Sequence, residues 1–144
     1  MGVLTSTAVA LAQQAPQPPS EADRDEAVGC MRTINTAEVY YEKTYKKGYS
    51  PTLEALGEPA TGEAVSASRA GLIDLSLSGG KRNGYVFQYR AGKPDAAGNI
   101  KTYTATARPM KWQKGVWSIF TDQTGKIRWT DEDRAPTSKD PLIQ

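Results

Sequence analysis

The chain has 144 residues, 38% of them hydrophobic, and a formal net charge of +2, which suits one ordinary domain preceded by a tail. It contains no histidine and a single cysteine, Cys30, so it supplies no Ser-His-Asp triad, no Cys-His dyad, no histidine-ligated metal and no internal disulfide. No apolar run approaches the ~20 residues that span a bilayer, so we expect no transmembrane segment. The composition favours a protein that is not an enzyme.

The N-terminal stretch resembles a short export signal. Residues 3–12 are small and apolar, and Ala10-Leu11-Ala12 followed by Gln13 has the form of a signal-peptidase site, although no Lys or Arg precedes it. Residues 1–12 are therefore interpreted as a signal-peptide remnant and residues 13–19, Gln-Gln-Ala-Pro-Gln-Pro-Pro, as an extended linker. Residues 20–144 remain as one exported domain, in the periplasm, at the cell surface or outside the cell.

A long amphipathic helix is predicted from Glu21 to Tyr45. Ser20 can cap it with Asp23 as the capping-box partner, and Gly48 is expected to end it. The predicted buried face recurs at three- and four-residue spacing and consists of Ala27, Met31, Ile34, Tyr41 and Tyr45, with Val28 and Ala37 beside them. Cys30 falls between Ala27 and Ile34, so we interpret it as a small core residue rather than a reactive thiol.

A second, shorter helix is predicted over Ser68–Leu77. Gly79-Gly80 follows it, and Lys81-Arg82 comes directly after that pair. A phosphate-binding nest is one interpretation of this glycine pair. A helix C-cap is the simpler one, because no strand–loop–helix order surrounds the glycines.

The rest of the domain alternates between apolar and polar residues, as strands do. The four predicted strands are Gly84–Ala91, Lys101–Arg108, Val116–Thr121 and Lys126–Thr130. The Gly-, Pro- and Asp-rich turns that join these short strands favour an antiparallel meander, and the long helix can cover its apolar face. The predicted fold class is α+β, with a long N-terminal amphipathic helix packed on a four-stranded antiparallel β-meander.

Several segments, in order, resemble the globular head of type IV pilin-like proteins and type II secretion pseudopilins. The helix contains Arg32-Thr-Ile-Asn-Thr-Ala37 followed by Tyr-bearing turns, and the loop behind it contains Gly48-Tyr-Ser-Pro. Further segments of the same kind are Leu72-Ile-Asp74, Gly84-Tyr-x-Phe-x-Tyr89, Tyr103-x-x-x-Ala107, Phe120-Thr-Asp-x-x-Gly-x-Ile-Arg128 and Asp140-Pro-Leu-Ile-Gln144. The resemblance covers roughly residues 22–144.

The resemblance implies a helical spine against a four-stranded sheet, and a role in a surface filament or secretion machinery without catalysis. At the N-terminus the chain differs from the family pattern. Family members carry a glycine cleavage site, then Phe/Met-Thr-x-x-Glu and about twenty apolar residues, whereas here Gly2 precedes Val3-Leu4-Thr5 and the first Glu is Glu21. The chain resembles a pilin head separated from its anchor.

Four carboxylates near the C-terminus are candidates for a calcium site, because Ca²⁺ takes six to eight oxygen ligands. They are Asp122, Asp131, Glu132 and Asp133. Their spacing matches no established ligand pattern, and Asp122 is equally well explained as a turn residue. The same groups as a general acid/base pair are a weaker interpretation, because nothing nearby indicates a substrate pocket.

Residues 81–129 hold ten basic and two acidic side chains. Alternation places Arg90, Arg108, Lys126 and Arg128 on the sheet face opposite the apolar one, with Trp112 and Trp117 near them in sequence. Basic and aromatic residues together can bind single-stranded nucleic acid or an anionic glycan. An ordinary solvated sheet face has the same composition.

Two functions follow from these observations. The first is an exported, non-catalytic pilin-like subunit or accessory protein that contacts other pilin-like or secretion-system subunits and needs no cofactor. The second is a freely secreted module that binds polyanions through the basic sheet face.

Overall fold

Helix α1 spans Glu21–Tyr45, as its capping sequence predicts, in a computed structural model that describes residues 17–143. The Ser20 hydroxyl accepts from the Asp23 backbone N–H at 3.1 Å, and the Asp23 carboxylate accepts from the Ser20 N–H at 2.8 Å. The helix ends at Tyr45 as predicted, but the left-handed cap residue is Lys46, at φ 58°, and not Gly48. The signal-peptide interpretation of residues 1–12 lies outside the described residues.

The predicted buried face of α1 is confirmed. Ile34 is 1% exposed and Met31 is fully buried, while Cys30 packs in the same core. The further members of the predicted face that are buried or pack against the core are Ala27, Val28, Ala37, Tyr41 and Tyr45. This stripe therefore holds the helix against the sheet.

The predicted second helix is wrong over most of its length. A 3-10 helix covers Glu54–Leu56, and the second α-helix, α2, is only Leu75–Ser78. The backbone N–H groups of Ala70, Gly71 and Leu72 donate instead to the carbonyls of residues 55–57, at 2.8–2.9 Å. Backbone groups committed to this neighbouring loop are not free to form helical hydrogen bonds.

The two ends of α2 have clear causes. The Asp74 carboxylate accepts from the Leu77 N–H at 2.8 Å and begins the helix. At the other end, the Gly79 N–H donates to the Leu75 carbonyl, which confirms the C-cap interpretation of the glycine pair.

The sheet has five antiparallel strands in the order β1-β2-β3-β4-β5, one more than predicted. The strands are β1 (Lys81–Arg82), β2 (Tyr85–Ala91), β3 (Tyr103–Pro109), β4 (Ser118–Asp122) and β5 (Ile127–Thr130). The extra strand is β1, which Asn83 and Gly84 join to β2 in a two-residue turn with φ of 48° and 80°. Asn-Gly is the preferred sequence for such a hairpin, so the signal for β1 is present in the sequence.

Strand register assigns each side chain to one sheet face. Phe87, Ala107, Ile119 and Trp129 lie opposite one another across β2–β5 and face α1. On the other face, the row Gln88, Thr106, Phe120 and Arg128 points away from the helix. The period-two alternation of the sequence therefore predicts the two faces of β2, β3 and β5 correctly, whereas β4 is buried on both faces.

The C-terminal segment covers the free edge of β5. The Trp129 N–H donates to the Pro141 carbonyl at 3.0 Å, and the Ile143 N–H donates to the Ile127 carbonyl at 2.8 Å. These bonds occupy backbone groups that an edge strand would otherwise present to another chain.

Gly48 lies at a close backbone approach, and Gly48→Ala is expected to lower the free energy of unfolding by about 2 kcal/mol. Gly48 has φ +86°, and an added Cβ would lie 2.0 Å from the Ile100 carbonyl oxygen. Gly62→Ala is the matched control, because Gly62 has the same φ with nothing within 4 Å of its Cβ position. Urea unfolding of both variants should show the smaller loss at Gly62, and equal losses would contradict the steric argument.

Candidate functional site

The predicted basic residues lie on the sheet face that points away from α1, or at its rim. Arg90 and Lys126 are exposed, whereas Arg108 and Arg128 are half-buried. Arg108 pairs with Asp133 at 3.4 Å, and an Arg128 guanidinium N–H donates to the Asp140 carbonyl at 2.8 Å. The C-terminal segment thus engages two of the four side chains, and the polyanion surface stays a prediction.

One ion pair organises this C-terminal segment. Arg134 binds the Asp140 carboxylate through two N–H groups, at 3.0 and 2.6 Å. The Thr137 N–H adds a bond to the same carboxylate at 2.7 Å. The Arg134 bonds, more than any other contact, lower the pKa of Asp140 to about 2.

Trp117 does not lie on the basic face. Its ring stacks on Trp129 with centroids 4.2 Å apart, and the Arg24 guanidinium of α1 lies 4.4 Å from the Trp117 ring centroid. The cation and both rings therefore belong to the helix-facing side of the sheet. Sequence adjacency to the basic residues was misleading, because neighbouring residues of a strand point to opposite faces.

Three of the four candidate calcium ligands, Asp122, Glu132 and Asp133, have other partners. Asp122 accepts from the Thr124 N–H at 3.0 Å within the β4–β5 turn, and Glu132 pairs with Arg134 at 2.6 Å. Between residues 17 and 143, no group of three or more Asp, Glu or Cys side chains is arranged to hold a metal ion. The calcium site stays a hypothesis.

A buried polar cluster at Glu38 was missed by the sequence analysis. Glu38 is fully buried, and its carboxylate accepts from the Ser50 N–H at 3.0 Å and from the Tyr89 hydroxyl. Glu38 follows Ile34 by four residues and precedes Tyr41 by three, so helical spacing could have placed it on the buried face. The cluster ties α1, the following loop and β2 together.

Burial determines the electrostatics of this cluster. Desolvation raises the pKa of Glu38 above 4.5, and the hydrogen bonds from Tyr89 and Ser50 oppose part of that rise. Desolvation also raises the pKa of Tyr89 and of Tyr103, whose rings stack 5.5 Å apart. Both carboxylate oxygens are occupied by protein donors, so the cluster acts as a structural tie.

A second polar chain joins α1 to the sheet. The Tyr103 hydroxyl donates to the Asn35 side-chain oxygen at 2.7 Å, and the Asn35 amide donates to the Thr121 hydroxyl at 2.8 Å. These bonds fix the rotation of α1 about its axis, because Asn35 and Glu38 both need partners in the sheet or the loop.

The helix side opposite the sheet is exposed and apolar at its centre. We call this surface the outer helix face, and its central residues are Gly29, Arg32, Thr36, Val39, Tyr40 and Lys43. Val39 is 49% exposed and Tyr40 is 58% exposed. A groove of about 390 Å³ runs beside them, between Thr36 and Tyr40 of the helix and Leu72 of the neighbouring loop.

Comparison of the chain with models of protein families, with curated proteins and with solved structures found no match. Among the described residues, none of the helices is both long and apolar enough to span a bilayer.

Proposed function

We propose that this protein is an exported, non-catalytic subunit of a pilin-like or pseudopilin-like assembly, and that it works through protein–protein contacts. The observation that carries the proposal is the outer helix face. Half-exposed Val39 and Tyr40 lie beside a groove on a regular 25-residue helix, and exposed aromatic side chains of this kind are typical anchors of interfaces.

The resemblance to pilin heads supports the same proposal. Arg32-Thr-Ile-Asn-Thr-Ala37 occupies the middle of α1, where Ile34 enters the core, Asn35 bonds the sheet and Thr36 lines the groove. Of the other resembling segments, Gly48-Tyr-Ser-Pro lies in the loop after α1, and Gly84–Tyr89 and Tyr103–Ala107 lie on or beside β2 and β3, whereas Leu72-Ile-Asp74 precedes α2.

The buried polar residues support a role without catalysis. Catalytic acids and bases need access to a substrate, whereas Glu38 is fully buried and bonded to Ser50 and Tyr89. Asp140, the other buried carboxylate of the described residues, is bound by Arg134 and Thr137.

Tyr40→Glu should abolish co-isolation of the protein with other cell-surface or secretion-system proteins after crosslinking in its native host. A charge in the centre of an interface is costly to desolvate, whereas on a free surface it is tolerated. Met110→Glu is the control, because Met110 is 52% exposed in a loop after β3. Export is checked in the same cells by N-terminal sequencing, with processing near Ala12–Gln13 expected.

An intact Met1 on protein found in the cytoplasm would refute the export part of the proposal. Co-isolation that survives Tyr40→Glu, or that is lost equally in Met110→Glu, would refute the outer helix face as the contact surface.

A further inference from the structure

On the outer helix face, acidic side chains lie near the start of the helix and basic ones near its end, and Asp25 is also paired with Arg24 at 3.0 Å. Glu21 and Asp25 are exposed near its start, and Lys43, Lys46 and Lys47 are exposed at its end. Asp25 and Lys43 are 18 residues apart, which is about five turns, so both point in the same direction. The centre of the surface between these ends carries Arg32 among small and apolar residues, and exposed Glu26 and Glu42 lie at its margins.

We propose that the outer helix face pairs in antiparallel orientation with the same face of a second copy of this chain. In this arrangement Asp25 of each copy lies opposite Lys43 of the other. The inference deepens the proposed function, on which its biological meaning rests, by identifying one partner of the contact surface.

Charge complementarity selects both the orientation and the partner. A two-fold axis at the level of residue 34 brings acidic and basic ends together twice, once at each end of the helix pair. Parallel pairing of two identical helices would instead place like charges opposite each other, which is unfavourable. The surface is therefore complementary to itself.

The centre of the face permits close approach. The same axis places Gly29 opposite Val39, and the space where a Gly29 side chain would be holds no atom within 4 Å. Because Gly29 has no side chain, it leaves room for the apolar Val39 side chain of the other copy, which is 49% exposed in the single chain. Arg32 lies opposite Thr36, an uncharged residue that can accept its hydrogen bonds.

The size of the surface sets the expected strength of pairing. A 25-residue helix is about 37 Å long and about 10 Å wide, so two such faces bury about 740 Å² together, which is below the range of stable interfaces and fits a weak, transient one. We expect a dimer of micromolar or weaker affinity whose dissociation constant rises with salt, because exposed ion pairs are screened.

Sedimentation equilibrium of the purified full chain at low salt tests the pairing. Asp25→Lys alone and Lys43→Glu alone should each raise the dissociation constant about ten-fold, because two symmetry-related attractions become repulsions. Mixing these two variants should restore dimers, since every Lys at position 25 then meets a Glu at position 43 in the other chain. The double variant Asp25→Lys/Lys43→Glu should self-associate as the wild type does.

Lys114→Glu is the control for net charge, since it makes the same change as Lys43→Glu on an exposed loop outside the helix. It should leave the dissociation constant unchanged. A monomer at every concentration, or a dimer that ignores both reversals, would overturn the proposal. So would single variants that fail to pair when mixed although circular dichroism shows them folded.

The two proposals can fail separately. Self-association is measured on purified protein, whereas the proposed function is tested by export and co-isolation in the native host. A dimer without co-isolated partners would refute the assembly role alone, and co-isolated partners without a dimer would refute the pairing alone.

Discussion

Replacing Ile34 by alanine is expected to lower the free energy of unfolding by about 3–4 kcal/mol, within the range for removing a large aliphatic side chain from a packed core. Ile34 is 1% exposed and lies at the middle of α1, where the helix crosses the sheet. The loss combines the missing burial of the side chain with the cavity that rigid neighbours cannot fill. Urea unfolding monitored by circular dichroism measures it.

Val39→Ala is the matched control, because Val39 belongs to the same helix and is 49% exposed. Its effect should stay within about 0.5 kcal/mol, as for other surface substitutions. A similar loss of free energy of unfolding at both positions, or almost no loss at Ile34, would show that α1 does not bury the face that contains Ile34.

Replacing Glu38 by alanine is expected to lower the free energy of unfolding by about 2–3 kcal/mol, because the buried Ser50 N–H loses its acceptor and the Tyr89 hydroxyl keeps only the Ser50 carbonyl, at 2.8 Å. The variant removes the hydrogen bonds that join α1 to the loop that follows it and to β2. Glu38→Gln is the conservative comparison, since its amide keeps an oxygen for Ser50 and can donate to the Tyr89 oxygen.

The pH dependence of the free energy of unfolding distinguishes the effect of the Glu38 charge from the effect of its hydrogen bonds. Burial raises the pKa of Glu38 in the folded protein above 4.5, its ordinary value in an unfolded chain. The folded state therefore binds more protons than the unfolded state above pH 4.5, and stability from this group declines as the pH rises through the folded-state pKa. The pKa of Asp140 is lowered to about 2, so its stabilising charge is lost only at pH values below the range in which Glu38 titrates.

Glu38→Gln should remove this decline. Thermal unfolding between about pH 4 and pH 8 measures it, and the wild-type protein should lose stability relative to Glu38→Gln toward the alkaline end. Parallel pH profiles for the two proteins would contradict a folded-state pKa above the ordinary value. Glu38→Ala should be the least stable of the three throughout.

The sequence by itself determined the elements whose signals are local. The capping box at Ser20 and Asp23, the three- and four-residue spacing of the apolar positions and the alternation of the strands predicted α1, four of five strands and the α+β class. These signals depend on hydrogen bonds and side-chain directions within a few residues of each other, so they determine the local structure wherever tertiary contacts do not oppose them. The hairpin of β1 also has a local signal at Asn83-Gly84, the preferred sequence for a two-residue turn.

Only the tertiary structure decided the features that depend on distant partners. The segment before Asp74 has a helical composition, but its backbone bonds the loop of residues 55–57, and these bonds outweigh its local propensity. Glu38 is buried because Ser50 and Tyr89, 12 and 51 residues away, supply the donors that a buried carboxylate requires. Arg108 and Arg128 likewise bond partners that are distant in sequence, Asp133 and the Asp140 carbonyl, 25 and 12 residues away. Chain neighbours do not reveal a charge's partner, because folding brings that partner from elsewhere in the sequence.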